Sequence, residues 1–188
     1  VFSDGYRTKR PEHADSGFRI LRAGDVRDGR IHPAGPDFVS DAYAGAIGNK
    51  SARVGDVVLT TKGTVGRTGI VTELAERIVY SPQVCYFRCG QANEIDSGYL
   101  YQWLRSPMFI DQSGYLKDAT DMAPYISLRD LASVHLDLPP LATQRAIAEV
   151  LGAIDDKIAA NQALASAAAE LMLGQVRGWV FDRGVVPL

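Results

Sequence analysis

With 188 residues, the chain has room for one domain of ordinary size, or for one domain and an appendage. Its 46% hydrophobic and 22% charged residues are globular values and exclude wholesale disorder. A domain of this length buries roughly 70% of its unfolded surface and needs neither disulfide nor metal to fold, and a formal net charge of −2 argues, taken whole, against a nucleic-acid binder. The charge is uneven, however: residues 1–70 carry 11 Lys+Arg against 8 Asp+Glu, residues 71–140 carry 5 against 9, and residues 141–188 carry 4 against 5. One basic face on a near-neutral chain can still read DNA when other subunits neutralise most of the phosphates.

No apolar run approaches the roughly 20 residues of a membrane helix, and no segment resembles a signal peptide. The chain opens on Val1 instead of Met, as expected of a processed or truncated piece of something longer. Cys85 and Cys89 lie on one predicted strand, about 13 Å apart along its axis. That is too far for a disulfide, and no histidine is near enough in sequence to complete a zinc site. Two unpaired thiols suit a reduced, cytoplasmic protein.

In chain order, short strands are predicted at Phe18–Leu21, Val57–Thr61, Gly69–Val71, Val84–Phe87 and Val134–Leu138. Turns such as Asp28-Gly29 and Gly55-Asp56 separate them. Asp96 or Ser97 can cap a helix through Leu104 that stops near Pro107, and Ser127 with Asp130 resembles a capping box. The fold class is therefore α+β: a strand-rich domain over residues 1–140 with peripheral short helices. Pro139-Pro140 ends that regime. From Ala142 to about Val180 there is no proline and much alanine, so residues 141–188 are read as one long helix region. Ile147, Leu151, Ile154, Ile158, Asn161, Ala165, Ala168, Met172, Gln175 and Trp179 alternate steps of four and three, a coiled-coil seam with two polar interruptions. A helix of nearly 60 Å outruns a domain of about 140 residues, so a partner helix must cover it. Val150, Leu164 and Leu171 widen the stripe beyond a two-stranded seam, and Asn161 would fix its register.

Catalytic patterns fail one by one. Leu138-Pro-Pro-Leu141 has leucines where an amino-methyltransferase loop needs a polar group and an aromatic. Gly63-Thr-Val-Gly-Arg-Thr-Gly69 lacks the Gly-Lys-Ser/Thr ending of a P-loop and the spacing of a dinucleotide fingerprint. The acidic pair Asp155-Asp156 lies on the long helix, where no sheet converges it on a metal. His13, His32 and His135 are scattered. Binding chemistry remains. Lys62, Thr64 and Arg67, on a loop after a strand, offer cations, a hydroxyl and backbone amides to phosphates and base edges. Arg22 and Arg27 flank Gly24-Asp25, and Gln83, just before a strand, is a candidate reader of adenine. Thr120 and Tyr125 belong to a loop with an acid, a wedge candidate and an aromatic.

In that combination the chain resembles the specificity (S) subunits of type I restriction–modification systems, as one target-recognition domain followed by one spacer region. The resemblance is carried by Ala119–Ser127, by Leu138-Pro-Pro-Leu-Ala-Thr-Gln-Arg-Ala-Ile-Ala148 and by Val150–Ile158. Val54-Gly-Asp-Val57, Gly63-Thr-Val-Gly-Arg67 and Trp179-Val-Phe181 match further recurrent turns and the exit from the helix. Thr143 stands where the family usually has glutamate, which would weaken the capping of the helix start. The resemblance implies a non-catalytic module that reads one half of a split double-stranded DNA target. It implies modification (M) subunits that carry the S-adenosylmethionine, with no cofactor in this chain, and restriction (R) subunits that add a motor and nuclease. With one recognition domain and one helix, the chain would be a half-subunit that pairs with a second copy, or a fragment of a two-domain subunit. The alternatives are a recognition domain cut from a single-chain DNA methyltransferase and a coiled-coil adaptor that does not touch DNA. The implied DNA-facing residues are Arg22, Lys62, Thr64, Arg67, Gln83, Thr120 and Tyr125, and the implied helix seam is Ile147, Leu151, Ile154, Ile158, Asn161, Ala165 and Met172.

Overall fold

The computed structural model describes residues 1–89, 94–117 and 125–182, and the side chains of these other than 115–117 and 174–182. They divide into two compact units, Val1–Ala148 and Glu149 onward. The first unit holds ten strands among its described residues: β1 (Phe2–Asp4), β2 (His13–Ala14), β3 (Phe18–Leu21), β4 (Val26–Arg27), β5 (Gly29–Ile31), β6 (Phe38–Val39), β7 (Val57–Thr60), β8 (Thr68–Ile70), β9 (Ile78–Tyr80) and β10 (Val84–Phe87). Six form one sheet in the order β1-β10-β7-β8-β5-β4, and four form another in the order β2-β6-β3-β9. Its helices are α1 (Ala44–Ile47), α2 (Ser97–Trp103), α3 (Pro107–Lys117), α4 (Leu128–Ser133) and the start of α5 (Leu141–Asp182).

The alternation of side chains along the central strands builds a layered core. Val57 and Leu59 of β7 and Cys85 of β10 face α2, α3 and α4, where they meet Leu100, Trp103, Phe109 and Leu131. Val58 of β7 and Val84 and Tyr86 of β10 face the four-stranded sheet and meet Leu21, Ile78 and Tyr80. All four residues of β7 are buried, as a central strand covered on both faces requires. Burial pushes the Cys85 thiol up to about 12, so at neutral pH it is an uncharged core side chain. Cys89 is also a free thiol.

Two turns follow directly from their residues. Arg27 pairs with Arg30, which leaves Asp28 and Gly29 as a two-residue hairpin loop. Both have positive φ, 53° and 72°, the backbone that Asp-Gly favours in this position. The Gly55-Asp56 turn does more than reverse the chain. Asp56 is buried and accepts two bonds from Arg88, at 2.7 Å from Nε and 2.6 Å from Nη2, one from the Tyr80 hydroxyl at 2.8 Å and one from the Arg53 amide at 2.9 Å. Arg88 also donates to the carbonyls of Asn49 and Ser51. The bond to Asp56 raises the Arg88 pKa, and burial together with Asp56 raises that of Tyr80. One carboxylate thus ties together the start of β7, the end of β9 and the exit from β10.

The expected strand at Val134–Leu138 does not form. The segment is extended, but side chains satisfy its backbone instead of a neighbouring strand. The His135 amide donates to Gln112 Oε1 at 3.0 Å, Gln112 Nε2 donates to the His135 carbonyl at 3.1 Å, and the Tyr99 hydroxyl donates to the Asp137 carbonyl at 3.0 Å. Its apolar pattern is real, since Val134 and Leu136 pack on the core beneath α2 and α4. Pro107 follows the end of α2 and is also the first residue of α3, where a missing N–H costs nothing. The caps at Asp96 and Ser127 form as expected, the latter with the reciprocal Asp130 bond.

The second unit is helix. Helix α5 runs for 42 residues, about 63 Å. Leu151 is 39% exposed, Ile154 51% and Ile158 49%, so the apolar stripe is open to solvent within one chain.

Candidate nucleic-acid interface

The strand registers bring several loops to one end of the six-stranded sheet. Thr60 at the end of β7 pairs with Val84 at the start of β10, Leu59 pairs with Thr68 at the start of β8, and Gly29 beside the hairpin turn pairs with Gly69. The loop 61–67 between β7 and β8 is closed by the buried Thr60. Its hydroxyl donates to the Thr64 carbonyl and accepts from the Arg67 amide at 2.9 Å, and its own amide donates to the Arg67 carbonyl at 2.8 Å. Gly63 and Gly66 take positive φ of 76° and 91°, which folds the loop back on that threonine. The side chains of Lys62, Thr64 and Arg67 are left exposed.

Other predicted residues join this loop from distant positions. The Thr61 amide donates to the Gln83 carbonyl at 2.8 Å, and a Cβ on Gly63 would lie 3.9 Å from Gln83 Nε2. Lys62 bridges to Tyr125, and the Ile126 amide donates to the Thr61 carbonyl at 2.9 Å. Lys62, Thr64, Gln83 and Tyr125 therefore surround one exposed hairpin loop. Arg22 sits where the chain leaves β3 for the other sheet. The Ser81 amide donates to the neighbouring Leu21 carbonyl at 2.9 Å, so the two crossings between the sheets, at Arg22–Asp25 and Ser81–Gln83, run side by side. The Arg22 guanidinium is committed to an exposed ion pair with Asp37, at 2.5 Å. Thr120 lies outside the described residues.

Of the seam residues, Ile147 is half-buried in the first unit, and Leu151, Ile154, Ile158, Asn161, Ala165 and Met172 are exposed. The anchor of the helix start is a residue whose importance the seam pattern does not show. Gln144 is 1% exposed, accepts from the Asp96 amide at 2.9 Å and donates to the carbonyls of Glu94 at 2.9 Å and Pro139 at 2.8 Å. Position 143 is exposed, so the threonine there leaves this fastening intact. The signal was a lone glutamine after a Pro-Pro pair, a polar residue that only burial distinguishes from a solvated one. Replacing Gln144 by leucine strands an amide and two carbonyls and is expected to cost about 3 kcal/mol in urea unfolding; a loss under about 0.5 kcal/mol would remove its anchoring role.

Residues 2–168 match the family described as the type I restriction modification DNA specificity domain. The chain belongs to that family. It is 28% identical over 158 residues to the type I restriction enzyme MjaVIII specificity subunit of Methanocaldococcus jannaschii, across 80% of this chain and 36% of that protein. Among solved structures, it shares its fold with a chain of a type I R-M system at a TM-score of 0.67 and 21% identity, covering 97% of this chain and 42% of the other. The HsdS subunit from Thermoanaerobacter tengcongensis follows with a TM-score of 0.61 and 23% identity, covering 85% and 36%. The chain spans less than half the length of each of these proteins, and a strand-rich domain followed by a long helix is the fold it shares with the two solved structures.

Proposed function

We propose that the chain reads one half of a bipartite double-stranded DNA target and scaffolds the methyltransferase subunits that modify it. The observation that carries this reading is the family match over residues 2–168, which takes in the sheet domain and helix α5 as far as residue 168. The exposed loop 61–67, with Gln83 and Tyr125 beside it, supplies the cation, amide and aromatic groups that duplex recognition uses. Helix α5 pairs with a second such helix, from another copy or another recognition half, and gives the modification subunits a docking surface, with restriction subunits joining that assembly. The chain performs no catalysis of its own, and S-adenosylmethionine binds the modification subunit. The assembly works in the cytoplasm; among the described residues no helix is long and apolar enough to cross a membrane.

Duplex titrations on the chain assembled with its modification subunits test the DNA face. Lys62→Ala is expected to weaken binding to all sequences alike and to reduce the salt slope by about one, as loss of a phosphate contact does. Gln83→Ala is expected to cost about 1–3 kcal/mol at one base pair and little elsewhere. Unchanged affinity and specificity in both would move the reading face off this loop.

A further inference from the structure

We propose that a cleft beside the reading loop, walled by Arg27, Arg67 and Arg105, is a clamp for the phosphate backbone of the bound duplex; the proposal rests on the DNA-reading function above. The three residues are far apart in sequence and come from three elements. Arg27 ends β4, Arg67 closes the loop before β8, and Arg105 follows α2. They line one open cleft of about 650 Å³, together with Asp28, Leu104 and Ile110. Among the described residues, the lining carries three arginines and one carboxylate, Asp28.

The cleft is built on fixed parts. The parallel pairing of β5 with β8, Gly29 against Gly69, holds the Arg27 hairpin beside Arg67. Tyr101 of α2 presses its hydroxyl into the same hairpin, where a Cβ on Gly29 would come within 2.1 Å of it. Only glycine allows that approach. The same hydroxyl accepts from Arg105 Nη1 at 2.9 Å, and the Arg105 guanidinium lies 4.9 Å from the ring centre. Tyr101 therefore locks the helix to the hairpin and aims the third arginine. Among the described residues, the guanidiniums of Arg27 and Arg67 form no ion pair.

Clustered guanidiniums repel one another until an anion enters, and their planar forks match phosphate oxygens two at a time. Among the described residues no aromatic side chain lines the cleft, which favours a backbone over a free nucleotide. Arg67 belongs both to the cleft and to the loop 61–67, so a phosphate held here sits next to the bases that the loop would read. Such a contact sets register without reading sequence.

The test is fluorescence anisotropy of a labelled mixed-sequence duplex with the chain assembled with its modification subunits, over about 20–150 mM KCl. The R27A/R67A double variant is expected to melt like the wild type and to lower the salt slope by about two, and adding R105A lowers it further. R77A is the charge control. Arg77 precedes β9 at the end of that strand away from the cleft and pairs with Asp41, so its loss leaves the slope unchanged. Wild-type binding with an unaltered slope in R27A/R67A would overturn the clamp and spare the DNA-reading function, as would equal losses in R77A. Absence of wild-type binding at the lowest salt would overturn both.

Discussion

Asp56→Ala is expected to cost the first unit about 3–5 kcal/mol, measured as a fall in the urea midpoint. The substitution removes one short side chain, but it strands a partly buried guanidinium and a buried hydroxyl. The Arg88 side chain is 17% exposed and would keep its charge without a counter-ion, and the Tyr80 hydroxyl would lose its acceptor in the core. Against a typical stability of about 5–15 kcal/mol, a loss of this size brings the domain close to unfolding. Function would follow stability. Tyr80 is the last residue of β9 before the Ser81–Gln83 crossing, so the same carboxylate holds Gln83 in place. Asp56→Asn, which keeps the shape and one acceptor, should fall between the wild type and the alanine variant. A cost below about 1 kcal/mol for Asp56→Ala would show that water replaces the network.

The second large effect is on association. The chain is expected to form a dimer at tens of micromolar, and Ile154→Asp is expected to raise the dissociation constant at least about 100-fold, by sedimentation equilibrium. Leu151, Ile154 and Ile158 follow one another at steps of three and four and are 39–51% exposed in the single chain. Two copies related by a twofold axis would bring each stripe against the other, in an antiparallel contact that uses every residue twice. An aspartate at 154 would then bury two charges per dimer, at a loss above about 3 kcal/mol. Asn161→Leu tests the register role separately: it should strengthen association and broaden the distribution of oligomers. A wild-type chain that sediments as a monomer at these concentrations would exclude self-pairing.

Much of this architecture was legible because local chemistry and tertiary context agree. Val57–Thr60 and Val84–Phe87 are β-branched or aromatic and central in the sheet, Asp96 and Ser127 cap the helices that follow them, and the repeat along 141–182 has no competing structure. The misreading at Val134–Leu138 has the opposite cause. An alternating apolar pattern reports which side chains are buried and is silent on whether a strand lies alongside. Strands of two or three residues, such as β2 and β6, exist only through partners distant in sequence, so no local signal marks them. Of the candidate site, the loop 61–67 could be found from its glycines and cations. The meeting of Arg27 with Arg67 and Arg105 could not, because it depends on the parallel β5–β8 pairing and on Tyr101 reaching Gly29. The Asp56 network and the Gln144 anchor were hidden for a related reason: their side chains are polar, and only the fold buries them.

Mapping of methylated bases in cells that carry this chain with its modification subunit tests the central claim most directly. On the proposed function each recognition unit reads one half-site, and pairing through helix α5 would set the spacing between two of them. The account predicts that methylation appears only when the chain is present, at a bipartite palindrome whose two identical halves are separated by a fixed number of unread base pairs. Chain-independent methylation, or chain-dependent methylation at a single continuous site, would contradict it.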